Sequence, residues 1–143
     1  MEKSGIWHKL RSNLLSLLSL TVALTALGYN TYRNELSEHN RSIRAAEFEM
    51  LRHLIDVQQV VDYASLHKDL QKGDLTLGLN RVLLIRDLSS VTPQPVEKAA
   101  DQLRAQWVAE SEKIASQPEV AARMSEQIWA TRQAVLASLR SLK

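Results

Sequence analysis

The sequence contains no cysteine. Disulfide bonds, thiolate nucleophiles and cysteine-ligated zinc are therefore excluded, and the chain is compatible with either an oxidising or a reducing compartment. Glycine is scarce, with four residues in 143, which leaves little material for a phosphate-cradling loop. Aromatic residues make up 5% of the chain, and stretches of alternating β-branched and polar residues are missing. Leucine and alanine are abundant instead, a balance that favours helices over sheets. No excess of one charge sign marks the bulk of the chain either. Of 18 basic and 16 acidic residues, three basic residues (Lys3, Lys9, Arg11) and one acidic residue (Glu2) precede residue 12, so residues 33–143 carry 15 of each. That neutrality argues against the clustered positive field that nucleic-acid binding requires.

The chain does contain one long uncharged run, SNLLSLLSLTVALTALGYNTY, residues 12–32. As a helix it rises about 31 Å, close to the hydrocarbon thickness of a bilayer. Trp7 precedes it and Tyr29 and Tyr32 close it, as interfacial aromatics do. Lys9 and Arg11 on the N-terminal side place that end in the cytoplasm by the positive-inside rule. The expected organisation is a short cytoplasmic tail over residues 1–11, a transmembrane anchor over 12–32, a polar stalk over 33–46 and an extracytoplasmic helical domain over 47–143, in a bacterial cell the periplasm. Two other readings compete. Asn13, Ser16, Ser19, Thr21 and Thr25 dilute the leucines as in a cleaved signal peptide, and Ala26-Leu27-Gly28 supplies small residues where a signal peptidase cuts; a buried soluble helix is the second alternative. Ser12, Ser16, Ser19, Ala23 and Ala26 form a small-residue strip at helical spacing, a surface on which a second membrane helix can pack.

Downstream, helical periodicity predicts a first helix from near Arg33 to Leu70 with a core stripe of Phe48, Leu51, Leu54, Ile55, Val61 and Ala64, interrupted by Gln58. By the same stripe His53 faces outward. Gly73 in QKGD marks a break. A second helix over roughly residues 75–90 is apolar around most of its circumference, with a polar strip through Asn80 and Asp87, so it is buried on several sides or covered by a partner. Pro93 and Pro95 stop it. A third helix repeats Val96, Ala99, Leu103, Trp107 and Ile114, and Ser116-Gln117-Pro118-Glu119 fits a capping box that opens a fourth. That helix carries Val120, Met124, Ile128, Val135, Leu139 and Leu142 on one side. The expected fold is all-α, a single transmembrane helix followed by an antiparallel four-helix bundle or paired helical hairpins. Leu36 and Ile43 leave a coiled-coil neck open, without the run of heptads that would specify one.

Motifs that carry chemistry are few. His39, His53 and His67 recur every 14 residues, yet 14 helical residues span about 21 Å, too far for three imidazoles to share one ion within a helix. Glu35 and Glu49 precede His39 and His53 by four residues, an ordinary surface pairing. Asp56 and Asp62 do not form the Glu-x-x-His pattern of carboxylate-bridged metals, and Glu112-Lys113-Ile114-Ala115 has no histidine. Asn40-Arg41-Ser42 fits a glycosylation acceptor. These readings predict a non-enzymatic chain with no catalytic, metal or cofactor site. Trp107 and Trp129 are expected as core anchors of the third and fourth helices.

In layout the arrangement is similar to the extracytoplasmic four-helix sensor domains of bacterial receptors, a resemblance that implies ligand sensing transmitted to a partner and assigns no site residues. Two functions follow as expectations. One is binding or scaffolding of another membrane or envelope protein through the second helix or the loops at Gly73 and Pro93, with a homodimer through the membrane helix and stalk. The alternative is small-molecule sensing that uses Gln58, Trp107 or Arg81; Arg81 and Arg86 flank Val82-Leu83-Leu84-Ile85, where they can guide a carboxylate.

Overall fold

A computed structural model describes residues 3–142, with side chains described from Asn13 onward. The expectations for Trp7, Lys3, Lys9, Arg11 and Ser12 concern side chains outside that range. Four α-helices are found among the described residues: α1 (Lys3–Ser65), α2 (Leu75–Ser89), α3 (Gln94–Glu110) and α4 (Pro118–Ser141), with a single 3-10 turn at Ser111–Lys113 between α3 and α4. The chain divides into two compact units, Met1–His39 and Asn40–Lys143.

In the first unit every described side chain is exposed, including the leucines of the uncharged run. It contains the segment of α1 that is long and apolar enough to cross a membrane, with a mean hydropathy of 1.4 over an 18-residue window. The hydroxyls that dilute this run are internally satisfied. Ser19 Oγ donates to Leu15 O at 2.9 Å, Thr21 Oγ1 to Leu17 O at 2.9 Å and Thr25 Oγ1 to Thr21 O at 2.8 Å. A hydroxyl bonded to the carbonyl one turn back presents little unmet polarity to its surroundings, which lowers the cost of placing it in an apolar phase.

The second unit is a bundle in which consecutive helices run in opposite directions. Asp56 on α1 pairs with Arg81 on α2, while Gly78, nearer the start of α2, lies against Val60. Arg86 reaches Asp101, and Gly78 meets Trp107, so α2 and α3 are antiparallel. Glu110 pairs with Arg123 while Thr131 Oγ1 donates to Ala99 O, which sets α3 against α4. Gln58 bonds Ser125, and Arg44 donates to Leu142 O, closing α4 back onto α1. The interior is formed chiefly by Met50, Leu54, Val57, Val61, Ile85, Leu103, Trp107, Ile114 and Met124.

Local chemistry sets the helix ends. α1 stops at Ser65, earlier than periodicity predicts, because Lys68 takes a positive φ of 55° and Asp69 N donates to Tyr63 O. The following turn folds back on α1: a Cβ on Gly73 would lie 2.5 Å from Ala64 N, so only glycine fits. Asp74 caps α2, its carboxylate accepting from Thr76 N at 2.8 Å and Leu77 N at 3.4 Å. Pro95 occupies the first turn of α3, as expected. The capping box at α4 does not form. Gln117 is the residue at the cap and makes no side-chain bond there, while Ser116 Oγ donates to Lys113 O.

Ile43 and Ala46 are buried within the second unit. α2 buries Gly78, Val82, Ile85 and Ser89 and leaves Leu77, Leu83 and Leu84 partly exposed at its margins.

Candidate functional site

The buried face of α1 shares Leu54, Val61 and Ala64 with the stripe that periodicity suggests but is rotated away from Phe48 and Ile55. Met50, Leu54, Val57, Val61 and Ala64 point inward, whereas Phe48 and Ile55 are 60% and 52% exposed. His53, expected on the outside, is only 8% exposed. It lies between Glu49 and Asp56, with Nδ1 3.5 Å from Asp56 Oδ2 and Nε2 3.9 Å from Glu49 Oε2. Asp56 also faces Arg81 Nε at 3.4 Å, so a short polar chain ties α1 to α2. Neither His53 Nδ1 nor Arg81 Nε attains a well-formed hydrogen bond.

Trp107 is a core anchor at 1% exposure, but Trp129, expected to match it, is 61% exposed. Phe48, Ile55 and Trp129 therefore remain outside a core that is already filled. Between α1 and α4, Leu54, Ile55, Gln58, Asp62, Ile128, Trp129 and Arg132 line an open groove of about 520 Å³. Its polar floor is ordered: Gln58 Nε2 donates to Asp62 Oδ1 at 2.8 Å and to Ser125 Oγ at 2.9 Å. Gln58, which interrupts the sequence stripe, thus satisfies its amide where the two helices meet. Because α1 and α4 are antiparallel and level at Gln58 and Ser125, Asp62 lies toward one end of the groove and Arg132 toward the other. By helix rise they stand roughly 15 Å apart along the bundle.

A second polar feature lies deeper, near the start of the bundle segment of α1. Glu47 is fully buried, and neither carboxylate oxygen has a hydrogen-bond partner. Burial pushes its carboxyl above the ordinary glutamate range, and the hydroxyl of Ser138 on α4 opposes the rise. Ser138 Oγ itself attains no well-formed hydrogen bond, so its opposition is the weaker effect. At the other end of the bundle the hydrogen bond from Arg123 holds the Glu110 carboxyl below its usual range.

His39, His53 and His67 do not come together; His67 instead packs its ring against Tyr63 at 5.3 Å. Among the described residues no group of three histidine or acidic side chains is placed to hold a metal. Of the residues expected to serve ligand sensing, Gln58 lines the groove, Trp107 is sealed in the core, and Arg81 borders a smaller cleft between α1 and α2. The feature that the sequence pattern missed is the exposed pair Ile55 and Trp129 on the groove; Phe48 is exposed as well but does not line it. Its signal was present as an excess of apolar positions on α1, more than one buried face uses.

No family model matches the chain, and no curated protein or solved structure matches it significantly.

Proposed function

We propose that this chain is a non-enzymatic, membrane-anchored helical protein whose bundle docks another membrane or envelope protein on the groove between α1 and α4. The observation that carries the reading is the pair Ile55 and Trp129, both more than half exposed, on the walls of that groove. Large apolar side chains that cluster on a surface lose free energy when a partner removes them from water, and tryptophan is among the residues that most often dominate such interfaces. Placement of Asp62 and Arg132 toward opposite ends suits an amphipathic helix of about ten residues, with a basic group at one end, an acidic group at the other and apolar anchors between. The exposed margin of α2 is the weaker surface, since its leucines are less exposed than Ile55 and Trp129.

The uncharged run supports the anchor, and its back-bonded hydroxyls remove part of the objection that it is too polar. In this reading residues 1–11 lie in the cytoplasm, the bundle lies outside it in the periplasm of a bacterial cell, and the partner shares the membrane or the envelope.

The test uses full-length protein, tagged at its C-terminus and purified from native membranes in mild detergent. A stoichiometric membrane or envelope protein is expected with the wild type and with Leu84→Asp, and is lost with Trp129→Asp or Ile55→Asp while the circular dichroism spectrum is unchanged. Equal recovery with all four chains overturns the assignment of the groove. Intact mass tests the anchor: retention of the residues before Gly28 supports it, and a chain trimmed near Gly28 overturns it.

A further inference from the structure

On the other flank of the bundle segment of α1, a cleft of about 220 Å³ opens between α1, the turn that follows it and α2. That is roughly the space of seven water molecules. Its lining mixes chemistries: Val60 and Leu77 are apolar, Tyr63 contributes an aromatic ring, Gln59 an amide, and Asp56, Lys72 and Arg81 carry three charges.

The charges do not cancel. Arg81 Nε faces Asp56 Oδ2 at 3.4 Å without forming a good hydrogen bond, so that pair is close to neutral and still has donors unmet. A guanidinium has five N–H donors, and Arg81 Nε is among those left unmet although it faces Asp56. The ammonium of Lys72 then adds a net single positive charge. It lies 5.4 Å from the centre of the Tyr63 ring, which is also in contact with the ring of His67. Lys72 N donates to Asp69 Oδ1 at 3.1 Å, which fixes the backbone that presents this side chain.

We propose that this cleft binds a small organic monocarboxylate, its carboxylate held by Lys72 and Arg81 and a short branched apolar tail against Val60, Leu77 and Tyr63. One negative charge matches the net charge of the walls, whereas a phosphate dianion leaves charge uncompensated and gains nothing from the apolar lining. The volume limits the tail to a few carbons. This site is separate from the docking groove, does not rest on it and gives the chain a small-molecule input of its own.

Isovalerate is the probe, with isovaleramide as its neutral isostere and inorganic phosphate as the competing anion. Binding to the full-length protein in mild detergent is followed by calorimetry and by saturation-transfer NMR. Isovalerate is expected to bind saturably with a dissociation constant no weaker than about 1 mM, within the limit for so small a ligand. Isovaleramide and phosphate should each bind at least tenfold more weakly. Lys72→Gln, an exposed change that leaves the backbone bond to Asp69 in place, should weaken isovalerate at least tenfold with the fold unchanged. Trp129→Asp, in the groove, should leave it unaltered. Absence of isovalerate binding, equal binding of the amide or of phosphate, an unaffected Lys72→Gln protein, or loss of binding in Trp129→Asp overturns the site.

Discussion

Replacing Gly78 by alanine sets two effects of opposite sign against each other. In the middle of an exposed helix the change is favourable by about 0.5–1 kcal/mol, because glycine loses more backbone freedom on folding. Gly78 is not in that situation. It lies on the buried side of α2, where an added Cβ would stand 2.2 Å from Cζ2 and 2.5 Å from Cη2 of Trp107, and 3.1 Å from Cγ1 of Val60. Ordinary contact needs roughly 3.5–4 Å, so the indole must move by more than an ångström. It has nowhere to go, since Trp107 is sealed between α2, α3 and α1. Overpacking of this kind costs typically 1–3 kcal/mol, and contacts this short place the cost in the upper part of that range. The net expectation for Gly78→Ala is a destabilisation of about 1–2 kcal/mol, or a fall in Tm of roughly 5–15 °C for a domain of this size. Urea and thermal unfolding of the full chain in mild detergent, followed by circular dichroism, measure it. An unchanged urea slope would locate the effect in stability rather than in a change of unfolded-state compactness. Trp107→Phe removes part of the clashing ring, so Gly78→Ala with Trp107→Phe should lose at least about 0.5 kcal/mol less than the two single changes together. A Gly78→Ala protein as stable as the wild type, or strict additivity in the cycle, would refute the close packing of α2 on the indole.

Two further outcomes follow from the buried and capping groups. Glu47 has a folded pKa raised above the ordinary value of 4.5, so its contribution to stability is fully present below about 4.5 and is lost as pH rises through the folded value. Glu47→Met should therefore stabilise the bundle by about 1–2 kcal/mol at pH 8 and by much less at pH 4; a gain independent of pH in urea unfolding would show that the charge is not what the site resists. Asp74→Ala removes the acceptor for Thr76 N and Leu77 N and should cost about 1 kcal/mol. Asp74→Asn should retain most of the stability, and equal loss from both changes in thermal unfolding would argue against capping as the cause.

The α2–α3 boundary, the break at Gly73 and the helical class were legible in the residues themselves. Pro93 and Pro95 act through steric exclusion and a missing donor, and Gly73 through the space its hydrogen leaves against Ala64; these are local effects that read directly from sequence. The uncharged run of residues 12–32 was equally plain, because length and lack of charge are properties of the segment alone. The burial of Trp107 was legible too, since it falls on the one apolar side of α3.

Tertiary structure decided the rest. α1 offers apolar side chains over more than one side, and a helix does not specify which side is buried until neighbouring helices arrive. Packing of the bundle buries Met50, Leu54, Val57 and Val61 and leaves Phe48 and Ile55 outside. Once Met124, Ile128 and Val135 fill the interior, α4 has no room there for Trp129, and the indole lies at the rim of the groove. His53 is inside because Asp56 and Arg81 close over that flank of α1, a charge pairing between residues 25 positions apart. Sequence periodicity reports how much apolar surface each helix carries; only the packing of several helices determines which part is buried in folding and which part stays exposed.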